Sequence, residues 1–210
     1  MKNIFQRLIA LILLILFFPL LMVIFFVVRL TSNGPFIFKQ KRAGKDKKPF
    51  NIYKIRTMVV DAENQKSKIQ SLNEADWPVF KIHNDPRHTK FGLFLAHSGF
   101  DELPQLINII KGEMAFIGPR PLPVEEAKKV SKKYDRRFSV LPGISSLWVV
   151  EGTDHSSFDR WMKLDLEYVN NKSFWYDLNI SVGTIILLVK LIFTNSKSYT
   201  VPKNPFDIKK

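Results

Sequence analysis

The chain contains no cysteine. Disulfides, thiol nucleophiles and cysteine-held zinc are excluded together, although this absence carries no information about compartment. Histidine is scarce. His83, His88, His97 and His155 form no HExxH and no other metal-ligand spacing, so a histidine-zinc site is not expected. Neither a GxGxxG fingerprint, a Walker-type phosphate loop nor a GxSxG elbow is present, and His97-Ser98 near Asp101 is adjacency rather than triad geometry. Acidic residues are also in deficit. Nineteen Asp and Glu face 32 Lys and Arg, a formal net charge of +13. Such a balance calls for an anionic partner: nucleic acid, lipid headgroups or a phosphorylated substrate. What is present suits one folded domain, with 210 residues of which 46% are hydrophobic and 24% charged.

Leu8 to Val28 carries no charge and is bounded by Arg7 and Arg29. As a straight helix it would reach roughly 30 Å, one hydrocarbon thickness. A cleaved signal peptide fits poorly, because the run is too long and no small-x-small site follows Val28. Pro19 sits mid-run and deletes a backbone donor, which predicts a kink or break. Two readings stay open: a kinked spanning helix, or a re-entrant helix-break-helix that enters and leaves by one face. Lys2 and Arg7 lie before the run, and Arg29, Lys39, Lys41 and Arg42 after it, so basic flanks give no orientation.

Thr31 to Pro35 reads as a turn. From Lys39 to Arg56 eight basic residues face one acid, Asp46, and Phe50 to Arg56 alternates as a strand at the membrane face. Asp61 to Leu72 is helical in composition and Lys81 to Lys90 loop-like. Leu103, Leu106, Ile107 and Ile110 define an amphipathic helix ending at Gly112. Glu125 to Arg137 reads as a second helix whose Lys128, Lys129, Lys132, Lys133, Arg136 and Arg137 form a solvated or headgroup-facing side. Leu178 to Phe193 is apolar but short, an interfacial or core helix.

The constellation that carries chemistry runs from Ser98 to Leu106. Ser98 to Asp101 matches a capping box, yet that register would bury Pro104 inside the helix. A helix starting at Asp101 places Pro104 harmlessly in its first turn. Asp101 is then an N-cap, or, with Glu102, a carboxylate pair where one group binds a divalent ion and the other attacks phosphorus. In Gly118-Pro119-Arg120-Pro121 two prolines hold Arg120 extended, either as a phosphate fork or within a rigid turn carrying a structural ion pair.

These segments together resemble a known family, the bacterial polyprenyl-phosphate sugar-1-phosphate transferases (monotopic phosphoglycosyl transferases), from about Phe5 to Tyr199. The most specific blocks are Asn84-Asp85-Pro86-Arg87, Asp101 to Asn108, Lys111-Gly112-Glu113-Met114 and Gly118 to Pro121. Tyr53 to Met58 and Leu141-Pro142-Gly143-Ile144 also match in order and spacing. The resemblance implies transfer of a sugar-1-phosphate from a UDP-sugar to polyprenyl (undecaprenyl) phosphate with release of UMP. It makes Asp101 the nucleophile, and Glu102 with Asp101 the holders of Mg²⁺. Arg120, Lys54, Arg56 and Arg87 would bind substrate phosphates. It implies an α+β fold, mostly helical with short strands, and a re-entrant membrane helix broken at Pro19. Residues 1–33 would form that element, 34–200 the catalytic domain with interfacial helices and 201–210 a tail, in the minimal catalytic form. The expected location is the bacterial inner membrane, with the catalytic domain facing the cytoplasm and an anionic lipid surface as partner; homo-oligomerisation stays open.

Some positions depart from the family pattern. Phe18 replaces a serine before the proline, Val149 and Thr153 replace Gln and Arg, and Ala96, His97 and Gly99 replace a basic pair and a serine. A nucleic-acid binder is not expected, since no recognition motif accompanies the charge and the apolar segment would go unexplained. The alternative is a catalytically degenerate family member serving as a membrane-surface scaffold.

Overall fold

The computed structural model describes residues 2–82, 84–151 and 157–193. His83, Thr153, His155 and the expected 201–210 tail therefore lie outside the described residues. The chain opens with two apolar helices, α1 (Lys2–Leu16) and α2 (Phe18–Thr31), bent by 57° at a break centred on Phe17. Pro19 falls in the first turn of α2, where its missing N–H does no harm to the helix it starts but leaves the preceding one without a continuing partner. Among the described residues no single helix is long and apolar enough to cross a membrane; by length and composition the bent pair can.

Neither helix stands free of the domain. Ala10 of α1 packs with Ile52, Leu106, Ile109 and Met114, while Ile24 and Val28 of α2 pack with Ile55 and Leu95. Each of these buried side chains larger than alanine contributes roughly 1.5–3 kcal/mol. Their opposite faces, including Phe5, Leu8, Ile12, Ile15, Val23 and Phe26, are exposed.

A hairpin follows. Strand β1 (Ile37–Ala43) pairs antiparallel with β2 (Pro49–Ile55), register Ile37 to Ile55 through Ala43 to Pro49. The second strand was expected from alternation. The first is the period-two pattern hidden in the basic run, its exposed Lys39 and Lys41 pointing away from the face that carries Gln40 and Arg42. Helix α3 (Ala62–Gln65) and a 3₁₀ turn over Lys66–Leu72 precede the expected loop, then α4 (Lys90–Ser98) begins at Thr89, whose hydroxyl accepts from Gly92 N at 2.9 Å.

Helix α5 (Gln105–Lys111) leads to β3 (Ala115–Ile117), which pairs in parallel with β4 (Gly143–Ser145). Between them the expected single helix over 125–137 is broken. Helix α6 (Val124–Lys129) stops at extended Val130, whose side chain is buried with Leu122, Tyr134, Phe138 and Met162, and a 3₁₀ segment over Lys132–Ser139 resumes. Burying Val130 turns the chain, and Arg137 points into the core rather than toward solvent or headgroups. Helices α7 (Leu147–Glu151), α8 (Phe158–Asn171) and α9 (Phe174–Phe193) complete the fold. The last is partly core and partly surface: Ile180 packs with Ile117, Leu147 and Leu164, while Phe174, Trp175, Val182 and Ile185 are exposed. Among the described residues the architecture is α+β, mostly helical, with two small two-stranded sheets.

Candidate active site

Strand β2 brings Lys54 to the site. Ile52 and Lys54, two residues apart, share one strand face and line the same cleft. Asn108 on α5 docks that helix against the strand. Its Oδ1 accepts from Tyr53 N at 3.1 Å, and its Nδ2 donates to Asn51 O and to Glu113 Oε2, each at 2.7 Å. Asn108 is fully buried and satisfies two backbone groups of β2.

The carboxylates occupy the 3₁₀ turn Phe100–Glu102, not the first turn of a helix as the sequence suggested. Helix α4 ends at Gly99, whose φ of 74° lies in the left-handed region, and α5 starts only after Pro104. Neither Ser98 nor Asp101 caps a helix. Glu102 N donates to Gly99 O at 3.1 Å, which fixes the turn.

Lys54 Nζ lies 3.2 Å from Asp101 Oδ2 and 2.7 Å from Glu102 Oε1, and Arg120 Nη2 lies 3.1 Å from the same Glu102 oxygen. Asp101 Oδ1 and Glu102 Oε2 take no hydrogen bond among the described residues. Burial pushes both carboxyls up. At Glu102 the charges of Lys54 and Arg120 outweigh burial and hold it below the usual carboxylate range. At Asp101, which faces Lys54 but also the Glu102 charge, burial wins and its pKa is raised. The two neighbours are thus pushed apart, Glu102 downward and Asp101 upward.

Arg120 is presented by a loop whose carbonyls at positions 119, 120 and 121 are all engaged. Pro119 O accepts from Gly143 N at 3.1 Å, Arg120 O from Arg137 Nη2 at 2.9 Å and Pro121 O from Arg42 Nη1 at 3.0 Å. The loop leaves Gly118 against Gly143, where a Cβ on Gly143 would overlap Gly118 N. Arg137 is itself locked by Asp165, with Nε at 2.9 Å and Nη2 at 2.6 Å from Oδ2. The sequence reading placed Arg137 on a solvated or headgroup-facing side, and singled out neither Asp165 nor Asn108 for a role. Asn108 lay in a recognised block, whereas nothing local marks the Arg137–Asp165 pair. Lys81 was missed too; its Nζ stands 5.9 Å over the Trp148 ring, and burial followed by the Arg120 charge pushes its pKa down to about 7.

Of the expected phosphate ligands, Lys54 and Arg120 converge on the carboxylates, and Arg56 and Arg87 do not. Arg87 donates to both Asp85 oxygens and to Ala62 O, so its fork is already occupied in a buried pair. Arg56 donates to Ser32 O at the foot of α2, next to Gly34. Among the described residues no cluster of three or more His, Asp or Glu can hold an ion unaided. The two adjacent carboxylates with a free oxygen each nevertheless suit Mg²⁺, a hard ion that takes one or two carboxylates and completes its shell with water and substrate phosphate.

Paired carboxylates thus lie under converging cations, beside apolar helices. Residues 1–191 match the bacterial sugar transferase family, and the chain belongs to it. It is 41% identical over 167 residues to the galactosyl transferase CpsE of Streptococcus agalactiae, covering 79% of this chain and 37% of that one. Identity is 36% over 198 residues with the UDP-glucose:undecaprenyl-phosphate glucose-1-phosphate transferase of Escherichia coli, 90% of this chain and 39% of the relative. With the exopolysaccharide production protein ExoY of Rhizobium meliloti it is 33% over 188 residues, 88% and 83% of the two chains. The chain spans about two-fifths of the length of the first two relatives.

Proposed function

We propose that this protein is a phosphoglycosyl transferase that moves a sugar-1-phosphate from a UDP-sugar to undecaprenyl phosphate at the inner membrane, with its catalytic domain on the cytoplasmic side. The observation that carries the reading is the shared grip of Lys54 and Arg120 on the buried Asp101–Glu102 pair, in a chain of the bacterial sugar transferase family. A diphosphate repels an incoming carboxylate, so its oxygens must be neutralised before attack. Lys54 and Arg120 supply part of that charge. Mg²⁺ held by Glu102 and Asp101 would neutralise diphosphate oxygens further and orient the leaving group. Asp101 then attacks the sugar-bearing phosphorus, the bond from that phosphorus to the oxygen of UMP breaks, and UMP leaves with the electron pair. The phosphate oxygen of undecaprenyl phosphate attacks the same phosphorus and frees Asp101. Splitting the transfer spares the site from holding both anionic substrates together, and ping-pong kinetics follow.

The exposed apolar faces of α1, α2 and α9 support a monotopic attachment. The broken pair dips into one leaflet while Phe94, Phe174 and Trp175 lie at headgroup depth. The reading is tested by incubating the lipid-reconstituted chain with Mg²⁺, undecaprenyl phosphate and a panel of UDP-sugars. A lipid-extractable sugar diphosphate and stoichiometric UMP are expected with one of them. No product with any sugar would leave a membrane-surface scaffold as the function.

A further inference from the structure

The carboxylates account for Lys54 and Arg120, but two further N–H groups at the same cleft have no partner. Gln105, the first residue of α5, is 2% exposed, and its Nε2 makes no hydrogen bond. Arg42, at the end of β1, spends Nη1 on Pro121 O and Nη2 on Gln40 Oε1 at 2.6 Å, leaving Nε buried without a partner. Both residues line the cleft formed with Lys54, Glu102 and Arg120. An orphaned buried donor costs roughly 1–3 kcal/mol, so two of them at one cleft need a reason. The charge there points to what would satisfy them. Lys54 and Arg120 share the cleft with Arg42, whose pKa is pushed down to about 10 by burial first and then by the Arg120 charge.

We propose that Gln105 Nε2 and Arg42 Nε form a phosphate-oxygen subsite, receiving an oxygen of a substrate phosphate that Lys54 and Arg120 do not hold. Gln105 supplies a neutral donor that fixes where the oxygen sits; Arg42 supplies charge from a guanidinium already immobilised on the Pro121 carbonyl. The oxygen can belong to the nucleotide diphosphate or to the lipid phosphate. The inference rests on the transferase reading for its biological ligand, but not for its chemistry.

Calorimetric binding of inorganic pyrophosphate, UDP and undecaprenyl phosphate to the full lipid-reconstituted chain tests it without turnover. Gln105→Met removes the donor at nearly constant volume, and Gln105→Glu keeps the shape while turning the donor into an acceptor. Pyrophosphate should bind Gln105→Met about tenfold to a hundredfold more weakly than wild type, as expected for one lost hydrogen bond to a charged group. The unfolding midpoint should hold or rise, because an unpaired buried donor has gone. Gln105→Glu should bind more weakly still. A parallel loss for UDP assigns the subsite to the sugar nucleotide, and a parallel loss for undecaprenyl phosphate assigns it to the acceptor. If either folded variant binds pyrophosphate like wild type, or wild type binds none, the subsite does not exist. A wild type inert toward every UDP-sugar whose pyrophosphate affinity still depends on Gln105 refutes the transferase reading and leaves the subsite standing.

Discussion

Replacing Asp165 by alanine strands the Arg137 guanidinium in the core. Both side chains are almost wholly buried, 1% and 2% exposed, so water cannot take over from the lost carboxylate. Breaking such a pair from one side costs about 3–5 kcal/mol. For a chain of this size each kcal/mol moves the midpoint by about 2–4 °C, so Asp165→Ala should unfold roughly 6–20 °C lower at a fixed scan rate. The double variant Arg137→Met, Asp165→Leu removes both charges and should recover most of that loss, since a well-packed apolar pair is often as stable as a buried ion pair. It should not recover transfer activity. Arg120 O loses the hydrogen bond from Arg137 Nη2, and the loop that aims Arg120 at Glu102 is released on one side. Near-UV circular dichroism on heating, with initial rates on the same samples, separates the two effects. A double variant that regains both midpoint and rate refutes the positioning of Arg120 by Arg137. An Asp165→Ala midpoint within about 2 °C of wild type refutes the buried pair itself.

Asn108→Ala removes three hydrogen bonds from a fully buried side chain, and should cost about 2–5 kcal/mol and speed hydrogen exchange at the Tyr53 amide, which loses its acceptor. Lys81 has its pKa at about 7 in the fold, below the ordinary lysine value of 10.5. The unfolded chain therefore binds the extra proton between those limits, and stability rises with pH across that window. Lys81→Met should raise the midpoint most below pH 7, with the gain fading toward pH 10.5; a gain independent of pH would contradict the burial of charge. Single cysteines at positions 2 and 32 should both label from one side of the membrane in wild type, and Pro19→Leu should move one of them to the other side; opposite-side labelling in wild type would overturn the re-entrant reading.

Local rules carried the elements whose causes are local. Pro19 announced the break between α1 and α2, Gly112 the end of α5, and the alternation over Phe50 to Arg56 the second strand. Strand β1 stayed hidden because its lysines read as a charge run rather than as the outward half of an alternating pattern. The 125–137 segment misled for the opposite reason. Its composition is helical, but burial of Val130 and Arg137 breaks it, and tertiary packing overrides propensity. At the site the motif blocks pointed to Asp101, Glu102 and Arg120, and resemblance added Lys54. Arg56 and Arg87 carry the same residue chemistry, yet Arg87 is committed to Asp85, and Arg56 Nη2 donates to Ser32 O while its Nε and Nη1 stay buried without a partner. That distinction depends on contacts 24 residues away for Arg56 and on a bidentate geometry for Arg87, neither of which spacing reveals. Arg137 and Asp165, 28 residues apart, are legible only once the fold closes them together.

In the proposed reaction Asp101 takes the phosphosugar before the lipid acts. Intact-protein mass after adding UDP-sugar and Mg²⁺ without undecaprenyl phosphate tests it directly. A sugar-phosphate adduct mapped to Asp101 and one equivalent of UMP are expected, and neither in Asp101→Asn. Release of UMP only when undecaprenyl phosphate is present, with Asp101→Asn still active, would contradict it.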